Sequence, residues 1–140
     1  MARDPDCIFC KIAAGEIPCI KLFEDEETLA FMDINPVQPG HTLIIPKEHF
    51  SDLYTVADEA ISATARTARR VATAVRATLL PGGLNLLQCN GKAAAQSVFH
   101  FHMHVIPRAI GDNLAMNWEI TPGDTAAIGE LAEKIKAELV

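Results

Sequence analysis

No stretch of the 140 residues approaches the roughly 18 consecutive apolar positions of a membrane span, and the opening Met1-Ala2-Arg3-Asp4-Pro5-Asp6 lacks the charged-then-apolar pattern of a secretory leader. Both absences lead to the expectation of a cytoplasmic protein. Positive charge is scarce as well. Twelve Lys and Arg face 18 Asp and Glu, a net charge of −6, which argues against the basic, counterion-displacing face of a general nucleic-acid binder. The glycine-rich phosphate motifs of P-loop and dinucleotide-binding folds are missing. A phosphate ligand would therefore have to be held by a few convergent side chains and N–H groups, which suits a small nucleotide better than a polymer. Linkers, repeats and low-complexity blocks are also absent, so one domain over residues 1–140 is expected.

There are only four cysteines, Cys7, Cys10, Cys19 and Cys89. In a reducing compartment the Cys7-x-x-Cys10 pair reads as metal or redox chemistry before disulfide, and Cys19 and Cys89 read as small buried residues.

What is present is a run of short apolar segments separated by turn residues. Ile8 to Ala14 predicts a short helix closed by Gly15, and Ile20–Glu24 and Thr28–Asp33 predict a hairpin. A turn from Asn35-Pro36 to Pro39-Gly40 precedes a third strand, Thr42–Ile45, stopped by Pro46. Thr55 with Asp58 resembles a capping box, and the alanine-rich segment to Leu80 has helical spacing, ended by Pro81-Gly82-Gly83. Leu84–Cys89 and His100–Ile106 complete five strands. Thr121-Pro122-Gly123-Asp124 reads as the start of a last helix, with Thr121 as cap and Ile128, Leu131, Ile135 and Leu139 on one face. Consecutive strands without βαβ alternation predict an α+β domain: a five-stranded antiparallel sheet with one long helix and a C-terminal helix.

The chemistry concentrates in His100-Phe101-His102-Met103-His104. On a strand the three imidazoles share a face, while Phe101, Met103 and Val105 point the other way. A single three-histidine zinc site is disfavoured: at about 3.3 Å per residue His100 and His104 stand about 13 Å apart, too far for one ion bonded at about 2 Å. Phosphoryl chemistry fits better. Neutral imidazole is nucleophilic, and the middle histidine can form a phosphoramidate while flanking donors stabilise the nonbridging oxygens. Upstream, Asn90 to Ser97 joins two strands with small residues and with amide and hydroxyl side chains, a loop able to approach an anion.

These residues resemble the histidine-triad nucleotide-binding hydrolases. The resemblance extends through Asp6-Cys7-Ile8-Phe9-Cys10-Lys11-Ile12, Glu16-Ile17-Pro18, Leu29 to Ile34, Gly40 to His49 and Gln96-Ser97-Val98-Phe99, covering a core of residues 6–108 and weakening over the extension 109–140. It implies a histidine-triad fold, a homodimer and one nucleotide pocket per subunit. It further implies His102 as the nucleophile on the α-phosphate, with His104, Ser97 and Asn90 on phosphate oxygens and Asp33 on the ribose. Phe9, Phe31, Ile34 and Leu43 would surround the base. His41 lies behind the triad in such proteins and could help set protonation, with a purely structural hydrogen-bonding role as the equal alternative.

Members with this cysteine pair bind zinc through it and two histidines, which match His49 and His100, so a structural Zn2+ on Cys7, Cys10, His49 and His100 is implied. Ala95 departs from the glycine common in the phosphate loop; if its φ must be positive, alanine is strained there. Trp118 could cover a neighbouring pocket or pack in a core or interface. The expected function is hydrolysis of a purine nucleoside phosphoramidate or related nucleotidyl conjugate, through a nucleotidyl-histidine. A nucleotide-binding regulatory module with incidental turnover and a nucleotidyltransferase to a sugar phosphate are the alternatives. Nucleic acid and membrane are not expected partners.

Overall fold

A computed structural model describes residues 1–115 and 120–139. The chain runs α1 (Ile8–Ala13), β1 (Lys21–Glu24), β2 (Thr28–Met32), β3 (Thr42–Pro46), α2 (Asp58–Leu79), β4 (Gly83–Gln88), β5 (Met103–Arg108) and α3 (Thr125–Glu138). The five strands form one antiparallel sheet in the order β1-β2-β3-β5-β4. The expected α+β architecture is present.

Pleat alternation sorts the two faces. Ala30, Ile44, Phe101, Met103 and Val105 meet Ala68 and Val71 of α2 on one face, where the small alanines let helix and sheet approach closely. Leu29, Phe31, Leu43 and Ile45 point to the other face and pack against Phe9, Cys7 and Cys10 around α1. The register Phe31↔Leu43 and Leu43↔His104 sets these three side chains in one cross-strand row. The sheet thus presents apolar surface directly beside a histidine. Gly40 at the entry to β3 has φ of 89°, where any other residue would be strained, and a Cβ there would crowd Leu79 at 2.5 Å and the Pro107 ring at 3.0 Å.

Several boundaries differ from the sequence reading for local reasons. Strand β5 begins at Met103 rather than His100, because residues 98–100 bend before entering the sheet. Helix α2 is capped at Ala57 without a side-chain bond; the Thr55 hydroxyl is used instead in a turn with Asp52. Helix α3 starts after Asp124, whose carboxylate accepts from Ala126 and Ala127 N–H, so Asp124 rather than Thr121 is the cap. Its apolar positions Ile128, Leu131 and Ile135 are all more than half exposed. Trp118 lies outside the described residues. No helix among the described residues is long and apolar enough to cross a membrane.

Candidate active site

A cavity of about 420 Å³ opens on the α1 side of the sheet. Its walls include Phe9, Phe31, Asp33, Ile34, Leu43, Ser97, His102 and His104, eight of the nine residues expected around a nucleotide. Asn90 does not line it. Its carboxamide is tied instead to Gln88 in both directions, at 2.6 and 3.1 Å, and accepts from Leu53 N–H at 2.7 Å. The cavity also gathers Ile12, Val37, His41, Val98 and the half-buried Cys19, so Cys19 is a wall residue rather than plain core. A groove of about 480 Å³ on the outer side of α2 is larger, with Arg66, Arg69 and Arg70 on one wall. Asp25 and Glu27 also line it, and none of its lining residues is a histidine or cysteine.

Hydrogen bonds fix the tautomers of the histidine row. The carbonyl of His100 lies 2.6 Å from His102 Nδ1; a carbonyl only accepts, so Nδ1 carries the proton and Nε2 keeps its lone pair. His41 Nδ1 accepts from Val37 N–H at 3.2 Å. Neutral His41 therefore carries its proton on Nε2, which sits 2.8 Å from His104 Nδ1 and 3.5 Å from Asp33 Oδ2. His104 accepts on Nδ1 and keeps a donor proton on Nε2. Asp33, His41 and His104 are near enough to hold a cation together, but the Val37 N–H makes His41 Nε2 a donor in the neutral ring, and donors do not ligate.

Burial is the main reason these rings are neutral. It depresses the pKa of His102 and His41 and brings His104 down to about 4, against the opposing pull of Asp33. The edge of Phe9 meets the His102 ring at 5.1 Å between centroids, and His104 follows at 4.9 Å. A neutral imidazole with its lone pair held in a largely apolar cavity is a competent nucleophile at neutral pH.

The fourth histidine belongs to another cluster. His100 is fully buried and donates from Nε2 to the Pro46 carbonyl at 2.7 Å, which leaves Nδ1 free. That atom lies 3.4 Å from Cys7 Sγ, 3.6 Å from Cys10 Sγ and 3.2 Å from His49 Nδ1, with Cys10 Sγ to His49 Nδ1 at 3.4 Å. In a tetrahedron with metal–nitrogen bonds of about 2.05 Å and metal–sulfur bonds of about 2.3 Å, the edges are about 3.3 Å and about 3.6 Å. The four donors thus stand at the separations of a closed four-ligand site. Two backbone N–H groups, Asp4 to Cys10 Sγ and Cys10 to Cys7 Sγ, are placed to support thiolates.

The loop before the row is a short turn, Lys92–Ala94, entered through Gly91 at φ 83° and left through Ala95 at φ 66°. Ala95 is therefore in the left-handed conformation, which costs a non-glycine residue about 1–2 kcal/mol. Ala95→Gly is expected to raise stability by about 0.5–1 kcal/mol once the added freedom of the unfolded chain is subtracted. Thermal unfolding checks this, and a lower midpoint would contradict it. Sequence reasoning missed the part played by Gln96, whose side chain is 3% exposed. A long amide side chain among the small residues of a glycine-containing loop was the available signal.

Comparison with known proteins agrees with this geometry. The HIT domain family matches residues 14–110. The chain is 48% identical over 120 residues to Protein hit of Bacillus subtilis, covering 85% of this chain and 83% of that one. It is 41% identical over 135 residues to the adenosine 5'-monophosphoramidase hnt1 of Schizosaccharomyces pombe, covering 93% and 98%. A crystal structure of a zinc-bound histidine triad family protein from Mycobacterium smegmatis superposes with a TM-score of 0.74 at 40% identity, covering 95% and 98%.

Proposed function

The chain belongs to the HIT domain family, and from that premise we propose that it hydrolyses a purine nucleoside 5'-phosphoramidate or a related nucleotidyl conjugate. The observation that carries this reading is the tautomer of His102, which leaves the Nε2 lone pair on a ring lining the cavity. The base would lie among Phe9, Phe31, Ile34 and Leu43, with the ribose hydroxyls on Asp33. Ser97 and His104 would hold phosphate oxygens. Asn90, locked to Gln88 and Leu53, would reach phosphate only by exchanging those partners.

In the first half-reaction His102 Nε2 forms a bond to the α-phosphorus and the bond to the leaving amine breaks. The leaving amine takes up a proton from solvent and departs neutral, while the His104 Nε2–H, on a ring held to His41 at 2.8 Å, donates to a nonbridging oxygen. In the second, water attacks the nucleotidyl-histidine and releases its proton to solvent. The nucleoside monophosphate leaves and His102 is restored. The identity of the Schizosaccharomyces pombe relative, named for adenosine monophosphoramidase activity, supports this bond type.

The decisive experiment is rapid denaturation during turnover of adenosine 5'-phosphoramidate, followed by mass analysis. An adenylyl adduct on His102 is the expected result; steady turnover with no adduct on any histidine would sink the covalent route. A regulatory binding module would bind AMP and show neither.

The same reading assigns a zinc ion to Cys7, Cys10, His49 and His100. Bound, it would supply a closed crosslink between α1, the end of β3 and the histidine row, with no open position for substrate. A homodimer in a cytoplasmic setting, without nucleic-acid or membrane partners, completes it. The dimer is supported by the free edge of β4, where Leu86 is exposed.

A further inference from the structure

Gln96 is buried at 3% exposure in a loop that is otherwise largely exposed. Its carboxamide oxygen accepts from Gly91 N–H at 2.8 Å, and its nitrogen donates to the Ser51 carbonyl at 2.7 Å and the Val98 carbonyl at 3.2 Å. Only one orientation of the amide serves one donor and two acceptors, so the network is fully specified. These three bonds join the first residue of the phosphate loop, the segment before α2 and the residue following Ser97.

Segment 49–53 forms the rest of the frame. The Phe50 carbonyl accepts from Phe101 N–H at 2.6 Å, and Leu53 N–H donates to Asn90 at 2.7 Å. Residues 91 and 98, on either side of the loop, are thus held by one side chain against a segment already fixed to the histidine row. Within the loop, Ala94 and Gln96 N–H donate to the Gly91 carbonyl and Ala95 N–H to that of Lys92, so the turn is closed on itself, and the Gln96 side chain is what ties it to the rest of the frame.

We propose that Gln96 is a positioning residue: it holds the loop 91–97 as a preformed cradle and thereby sets Ser97 at the phosphate beside His102. This deepens the function proposed above and rests on it. The mechanism gives Gln96 no contact with substrate; it acts through the backbone it holds.

The test compares wild type with Gln96→Met, similar in length without the hydrogen bonds, and Gln96→Glu, which keeps the acceptor for Gly91 and loses both donors. Steady-state rates on adenosine 5'-phosphoramidate, AMP affinity by calorimetry and thermal unfolding are measured together, with assays well below each midpoint. Gln96→Met is expected to lose about 10- to 100-fold in kcat/KM, mainly in kcat, because small misplacement of a reacting group is costly. AMP should bind severalfold more weakly, and Gln96→Glu should lose at least as much.

Lower midpoints with kcat/KM and AMP affinity within twofold of wild type would assign Gln96 a purely structural role and overturn the proposal. Should Gln96→Met fail to fold, Gln96→Glu and Gly91 amide exchange in wild type carry the test. Strong protection of that amide, unchanged by AMP, is expected, and fast exchange that AMP slows would show that the cradle is not preformed. Absence of turnover in wild type would count against the hydrolase reading alone, and Gln96 would then be judged on AMP affinity.

Discussion

His102→Ala is expected to lower kcat/KM by about 10⁴-fold or more, the usual range for removing a covalent nucleophile. His104→Ala, which removes a donor to the phosphate oxygens, should cost only about 10²- to 10³-fold. The gap between the two is the informative quantity. Both rings lie in the same cavity and both are neutral by burial, so burial and charge do not tell them apart. Hydrogen bonding does, since His102 turns its protonated nitrogen to the His100 carbonyl and His104 turns its lone pair to His41. Equal losses in the two variants would contradict the assigned roles. The His102→Ala protein should remain folded, because the void beside Phe9 costs an amount comparable to other core truncations, about 2–4 kcal/mol. Unfolding curves separate that loss from the kinetic one.

The two faces of the sheet were legible from strand periodicity alone. Phe101, Met103 and Val105 go to α2 as alternation requires, and Phe31 and Leu43 reach the histidine side. The division of the histidine row was expected from about 13 Å between His100 and His104 unless the strand bent sharply; β5 in fact begins at Met103 and residues 98–100 bend, yet the division stands. His100 does sit with Cys7, Cys10 and His49, while His104 sits with Asp33 and His41. Features depending on cross-strand register were not legible. Nothing local to His41 announces that it meets His104, and only the family resemblance placed it behind the triad, because that contact exists only once β3 and β5 pair at Leu43↔His104.

Competition between hydrogen-bonding partners hid other features. Thr55 and Thr121 both have capping chemistry, yet Asp52 engages the first and Asp124 supersedes the second. Asn90 reads as a phosphate donor, but neighbouring Gln88 holds its amide. A short polar side chain bonds whichever group the folded chain brings nearest, and a sequence shows only its capacity. Ala95 shows the converse: its residue type argues against a left-handed conformation, and the loop imposes one all the same.

Removing the proposed zinc is expected to lower the unfolding midpoint by about 10 °C or more, since a closed site of this kind contributes several kcal/mol and each kcal/mol moves the midpoint of a domain this size by about 2–5 °C. Without metal, burial pushes the Cys10 thiol above its ordinary value, so a protonated sulfur occupies the cluster. Buried His100, brought down to about 4 mainly by desolvation, stays neutral. Its folded pKa lies below the unfolded value, so its contribution to stability is present above about pH 6.5 and is lost as the pH falls through about 4. Metal affinity declines in the same direction, because each thiol that must lose a proton to bind weakens the site by about 1.4 kcal/mol per pH unit. The stabilisation due to metal should therefore shrink steadily between pH 8 and pH 5, which paired unfolding curves with and without chelator would show. Cys10→Ser should follow the chelated protein at every pH and hold no stoichiometric zinc. A wild-type protein carrying less than about half an equivalent of zinc, with unfolding indifferent to chelator, would remove the ion from the structure and leave Cys7 and Cys10 as packed thiols behind the His100 that orients His102.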